Sequence, residues 1–101
     1  MNAVIRVVLP AHLKALAHVS SEIVLDAGPA ATTAALLEAV EEQYPVLRST
    51  MRDPVSGRRR AFVRFFACGE DLSHVPADVP LPDAVLRGEQ PFLVVGAMAG
   101  G

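Results

Sequence analysis

The 101 residues contain a single cysteine, Cys68, so neither an internal disulfide nor a cysteine-rich metal site can form. That fits a reducing compartment better than the disulfide-stapled design of small secreted domains. No run approaches the ~20 apolar residues that a membrane-crossing helix needs. The opening stretch, MNAVIRVVLP, sets Arg6 inside a short apolar run and lacks the small-residue cleavage site of a secretory leader. No phosphate-cradling G-x-x-x-x-G-K-[ST] motif occurs. His12, His18 and His74 are scattered, without paired metal-ligand spacing, and read as surface or satisfied side chains. Neither sign of charge dominates: nine Lys and Arg against eleven Asp and Glu give a formal net charge of −2, far from the concentrated basic face of a nucleic-acid binder. The expectation is a soluble, cytoplasmic protein with no membrane or nucleic-acid partner.

What is present is apolar and patterned. With 51 % hydrophobic residues the chain is a folding sequence rather than a disordered one. Its length suits one domain, 1–101, that buries roughly 60–65 % of its unfolded surface. Val4 to Leu9 is β-branched and stops at Pro10, with Ile5, Val7 and Leu9 on one face and Val4, Arg6 and Val8 on the other. Ala11 to Ala17 reads as a helical turn or loop. Ser21 to Leu25 is a second strand closed by the turn signal Asp26-Ala27-Gly28-Pro29. The clearest helix follows, with Thr32 as N-cap and Leu36, Leu37, Val40 and Tyr44 at the 3.6-residue period. Glu38, Glu41 and Glu42 lie on its wet side, Pro45 ends it, and Leu47 returns to the core.

Arg48 to Arg60 is polar and punctuated by Asp53-Pro54 and Ser56-Gly57, a surface loop by composition. Phe62 to Cys68 is a strand with Val63, Phe65 and Ala67 on one face and Phe62, Arg64, Phe66 and Cys68 on the other. Gly69-Glu70-Asp71 turns the chain. A proline-marked connection with one helical turn at Asp83 to Leu86 leads to a last strand, Phe92 to Val95, and a tail, GAMAGG. Two strands, one main helix and two more strands predict an α+β fold: the mixed sheet wrapped on one helix of a β-grasp domain.

Three stretches, VVLPAHLKAL, LLEAVEEQYPVLRSTMRDPVSGRRRAFVRFFACGED and LPDAVLRGEQPFLVVGAMAGG, together with the terminal Gly100-Gly101 behind a strand and a short spacer, carry a likeness to a known family. The chain resembles the MoaD/ThiS family of ubiquitin-like sulfur carriers over nearly all its length. The long D-P…G-R-R-R loop is most similar to the longer carriers of cysteine biosynthesis. Gly96 stands where these carriers often have proline, and Cys68 where asparagine is common.

The resemblance implies a ubiquitin-like domain that is not an enzyme. Its working group is the C-terminal carboxylate of Gly101, adenylated and then converted to a thiocarboxylate. Three kinds of partner are implied: an E1-like adenylyltransferase, a sulfur-donor enzyme and a sulfur-accepting biosynthetic enzyme. No cofactor is expected on this chain; ATP and Mg²⁺ are used by the activating partner.

A terminal Gly-Gly arises by chance in roughly one chain in 200, so the ending carries weight only in combination with the strand order and the likeness. An α-carboxylate, with a pKa near ~3.5, is anionic at neutral pH and can act as a nucleophile toward a phosphoryl group. Gly100 and Gly101 lack Cβ atoms and suit a narrow channel in a partner. With the sequence ending there, no processing protease is expected. The partner must also grip the body: Val4, Val8, Phe62, Phe66, Leu93 and Val95, with Arg6 and Arg64 among them, form the expected docking face opposite the helix. Phe62 and Phe66 are its aromatic anchors.

Other features are set aside. Arg58-Arg59-Arg60 reads as a solvated run, and Cys68 as a small residue at a strand end. Ser20 and Ser21 near His18 lack the third group of a hydrolase triad. Glu41-Glu42 reads as a wet helix face, and Met51 and Met98 carry no message. Two other functions remain open: the small subunit of molybdopterin synthase, and a ubiquitin-like modifier or plain interaction module.

Overall fold

A computed structural model describes residues 4–28 and 30–96. Strand β1 (Val4–Val8) pairs antiparallel with β2 (Ile23–Asp26), the two joined through helix α1 (Ala11–Ala17). Helix α2 (Thr33–Gln43) and a 3-10 turn at Pro45–Leu47 follow. Beyond a long loop come β3 (Val63–Ala67), β4 (Glu70–Asp71), the short helix α3 (Asp83–Leu86) and β5 (Phe92–Gly96). The sheet order is β2-β1-β5-β3-β4. The central pair, β1 and β5, is parallel, in register through Val7 with Phe92 and Val8 with Leu93; every other pair is antiparallel. Joining the first and last strands in parallel requires a crossover, and α2 packed on one face of the sheet supplies its core.

Local chemistry sets the elements. The Thr32 side chain accepts from the Ala35 backbone N–H at 3.1 Å, capping α2 as its sequence predicts. Leu36, Leu37 and Val40 project from α2 onto Ile5, Val7, Phe65, Phe92 and Val94, all within one buried cluster. The Phe65 and Phe92 rings lie 5.3 Å apart and tilted by 39°, a favourable offset geometry. Phe92, Ile5, Leu36, Leu47 and Met51 are fully buried.

Several boundaries and roles differ from the sequence expectation. Residues 11–17 form a true helix that ends at His18 in the left-handed region, φ 58°. Strand β2 starts two residues later than expected and runs on to Asp26, and β5 continues to Gly96. Glu70 and Asp71 form a short edge strand rather than a turn, so the turn itself is Cys68-Gly69, with φ of 55° and 77°. Successive positive φ values at both residues of a two-residue loop are the I′ pattern, whose favoured pair is Asn-Gly. The asparagine common in similar carriers therefore suits this backbone better than Cys68 does.

The 48–60 segment is not simply a surface loop. Met51 is fully buried, Arg52 bridges backbone to backbone with Arg59, and the Arg60 N–H donates to the Met51 carbonyl at 3.0 Å. Methionine filling a core gap under a polar segment leaves no periodic trace in the sequence.

Candidate functional site

The sheet face opposite α2 is the one expected for docking, and no element among the described residues covers it. Alternation along the strands puts Val8, Leu93 and Phe66 in one row across β1, β5 and β3, because Val8 and Phe66 both pair with Leu93. These three are half-buried. Arg64 pairs with Val95 in the next row, and Phe62 lies just before β3. Phe62 is 62 % exposed and Val95 43 %. Strand β2 adds Val24, 52 % exposed, which the sequence reading did not include. Its place in the alternation of IVLD is the signal that marks it.

Two arginines of this face differ in kind. Arg6 is a clamp: its Nε donates to the Gly88 carbonyl at 2.9 Å, its Nη2 to the Glu89 carbonyl at 3.1 Å, and its Nη1 pairs with Glu22 at 3.2 Å. It holds the turn ahead of β5 against β1, where a Cβ on Gly88 would stand 2.8 Å from the Val4 carbonyl oxygen. Arg64, half-exposed, pairs with Asp71 at 2.9 Å. The Ser73 hydroxyl and amide, then Arg64, hold the Asp71 carboxyl below the usual carboxylate range.

Strand β5 ends at Gly96, paired with Val63, so Phe62 and Val95 flank the point where the chain departs toward its C-terminus. Gly100 and Gly101, the residues expected to do the chemistry, lie outside the described residues. At Gly96, a Cβ would stand 2.6 Å from His12 Cε1, 3.3 Å from its Nε2 and 3.6 Å from Pro10 Cγ. The imidazole from the first turn of α1 thus closes over the backbone at the root of the tail. A side chain here, proline's ring included, needs His12 to move. The sequence gives no sign of this contact because residues 12 and 96 meet only through the parallel β1·β5 pairing.

Cys68 is exposed at its turn, and no group of three or more metal-ligating side chains occurs among the described residues. No helix among them is long and apolar enough to cross a membrane.

No family model and no curated protein sequence matches the chain. Solved structures do. SAMP1 from Haloferax volcanii superposes with a TM-score of 0.75 at 19 % identity, over 97 % of this chain and 99 % of that one. The small archaeal modifier protein 1 of Methanosarcina acetivorans gives 0.70 at 17 % identity, over 100 % and 99 %. The Amycolatopsis orientalis BexX/CysO complex contains a chain matching at 0.72 and 16 % identity, over 95 % and 98 %. The chain has the ubiquitin-like β-grasp fold. The β-grasp expectation stands.

Proposed function

We propose that this β-grasp protein is a sulfur carrier whose C-terminal carboxylate, on Gly101, is its reactive group. The carboxylate oxygen attacks the α-phosphorus of ATP on a partner adenylyltransferase, and pyrophosphate leaves. Hydrosulfide then attacks the acyl carbon, AMP leaves, and a proton is released, giving a thiocarboxylate with no net oxidation or reduction. The thiocarboxylate is the sulfur donor to a biosynthetic enzyme. Nucleotide and Mg²⁺ belong to the activating partner. This chain contributes the nucleophile, the side-chain-free approach of Gly100-Gly101 and the surface that is gripped, and it works in the cytoplasm as a protein substrate.

One observation supports this most: β5 ends at Gly96, five residues before the terminal glycine, and the exposed apolar side chains of Phe62 and Val95 stand beside that end. A partner seated on Phe62, Arg64, Phe66, Leu93 and Val95 receives the tail directly. A modifier reading is favoured by the neighbours named as small archaeal modifiers. It shares the adenylation step and differs in the second attack, where a lysine amine displaces AMP to form an amide. The small-subunit reading of molybdopterin synthase differs in holding the tail inside a permanent partner.

The test is pyrophosphate exchange into ATP catalysed by a cognate adenylyltransferase. Exchange that requires this chain supports the first step, and its absence with a competent enzyme contradicts it. Addition of sulfide then separates the outcomes: thiocarboxylate for a carrier, lysine adducts for a modifier. A stable heteromer on co-purification marks the molybdopterin-synthase arrangement.

A further inference from the structure

Two clefts flank the loop that crosses over α2 between Arg52 and Gly57, and their charge differs sharply. On one side two cations, Arg48 and Arg52, face four carboxylates, Glu38, Glu41, Glu42 and Asp53, so that cleft is acidic. On the other side lies a cleft of about 460 Å³ whose lining includes Arg52, Arg58 and Arg59 and no carboxylate. Leu37 and Phe65, only 3 % and 4 % exposed, close its floor from the core, and the apolar surface it offers is Val75 on its rim, 40 % exposed.

The cations of this second cleft are not equivalent. Arg52 is neutralised by a fork to Glu41, with two bonds of 3.0 Å. Arg59 is held only by carbonyls: its Nε donates to Ser73 at 3.2 Å, and its Nη1 donates to Arg60 at 3.2 Å and Val63 at 2.7 Å. Its position is fixed, yet no carboxylate offsets its charge, and its Nη2 makes no bond among the described residues. The half-buried guanidinium is therefore oriented in advance with only its Nη2 hydrogens unspent, which suits a single-point contact to a carboxylate oxygen rather than a two-pronged fork. Arg58 beside it is exposed, and its side chain has no partner among the described residues.

We infer that the cleft between α2, the 56–59 turn and the 73–77 segment is a second docking site, for an acidic–aliphatic protein segment. Carboxylates of the segment meet Arg58 and Arg59, and an aliphatic side chain packs against the exposed Val75. A bare inorganic anion uses the arginines but leaves Val75 uncovered, and it is the protein segment that matches both. The cleft lies on the helix side of the sheet, away from the outer face of Phe66 and Leu93, so two partners can be held at once. The inference goes beyond the carrier reading and does not depend on it.

The test is titration of the ¹⁵N-labelled full chain with the peptide acetyl-Glu-Leu-Glu-Val-Glu-amide, followed by amide shifts. Binding is expected to move Ala34, Gly57, Arg58, Ser73 and Ala77 while Val24, Leu93 and Val95 stay still, and to weaken with added salt. Replacing the peptide's Glu residues by Gln, or Arg58→Glu in the protein, is expected to weaken binding by about tenfold or more. Val75→Asp, at an exposed rim position that needs no refolding of the loop, is expected to do the same. Equal binding of the Gln peptide, unchanged affinity in both variants, shifts confined to the outer sheet face, or no shifts at millimolar peptide would each overturn the inference. Inorganic phosphate is the comparison ligand, and equal shifts with phosphate alone would reduce the cleft to an anion site and overturn it too.

Discussion

The two faces of the sheet are built from similar residues and meet different fates. Toward α2, Ile5, Val7, Phe65, Phe92 and Val94 are at most 4 % exposed. On the other face, Val4, Val24, Phe62 and Val95 stand open, and only the row Val8, Leu93 and Phe66 is half-covered. Strand chemistry is alike on both: valine and phenylalanine suit a pleated surface whichever way they point. What separates them is the second layer. One helix of three turns can close one face, and the domain has no other element of that size to close the opposite one. Apolar alternation therefore marks strands on both faces but only the covered face as core. The uncovered one is the face we propose a partner grips.

The largest effect that sharpens this contrast comes from truncating one phenylalanine on each side. Phe92→Ala is expected to cost about 3–5 kcal/mol in urea unfolding, because it opens a cavity beneath α2. Phe66→Ala is expected to cost under about 1 kcal/mol. Equal losses would make the outer face a core and break the comparison.

The next effect lies where the covered face runs out. Gly96→Ala is expected to destabilise by about 1 kcal/mol, because the His12 ring it meets is an exposed side chain that can turn aside. His12→Gly in the same chain is expected to remove most of that cost, read as non-additivity in a double-mutant cycle. Additive losses would dissociate His12 from the tail root.

A smaller, opposite change is expected at the β3–β4 turn. Cys68→Asn, at φ 55°, is expected to raise stability by up to about 1 kcal/mol in thermal unfolding, since asparagine tolerates the left-handed region better. A loss would mean that the thiol side chain is held by something other than its turn.

The smallest effect is electrostatic. Backbone N–H groups of Ser56 and Val55 hold the Asp53 carboxyl below its usual range, as Ser73 and Arg64 do for Asp71. Carboxyls depressed on folding contribute stability that is fully present above the ordinary carboxylate pKa near 3.8 and is lost as pH falls through the lower folded values. Asp71→Asn is expected to flatten the acid limb of the stability–pH curve slightly. The Ser73 hydrogen bonds are the larger cause and the Arg64 pair the smaller, so an unchanged limb would show that neither acts on Asp71.

How much of this was legible in the sequence depends on the range of the signal. The Thr32 cap, the Leu36-Leu37-Val40 stripe and the division of Val63, Phe65 and Ala67 from Arg64 and Phe66 are local patterns of period 3.6 or 2, and they read correctly. The outer face followed from the same alternation. Features that depend on contact between distant segments were not readable: Met51 under the 48–60 loop, His12 over Gly96, and Arg59 fixed by the Ser73 and Val63 carbonyls. Arg58-Arg59-Arg60 looked like one solvated run, yet its middle member is half-buried. A one-residue difference in backbone direction decides that, and composition does not record it.

The central claim is that the terminal carboxylate, and not any side chain of the body, is the working group. It is tested most directly by weighing the intact chain and a Gly101-deleted chain after incubation with ATP, sulfide and a cognate adenylyltransferase. The account predicts exchange of one oxygen for sulfur in the intact chain and none in the deleted one, with unfolding free energies within about 0.5 kcal/mol of each other. Sulfur incorporation that survives the deletion, or its absence from the intact chain with an enzyme proven competent, would contradict it.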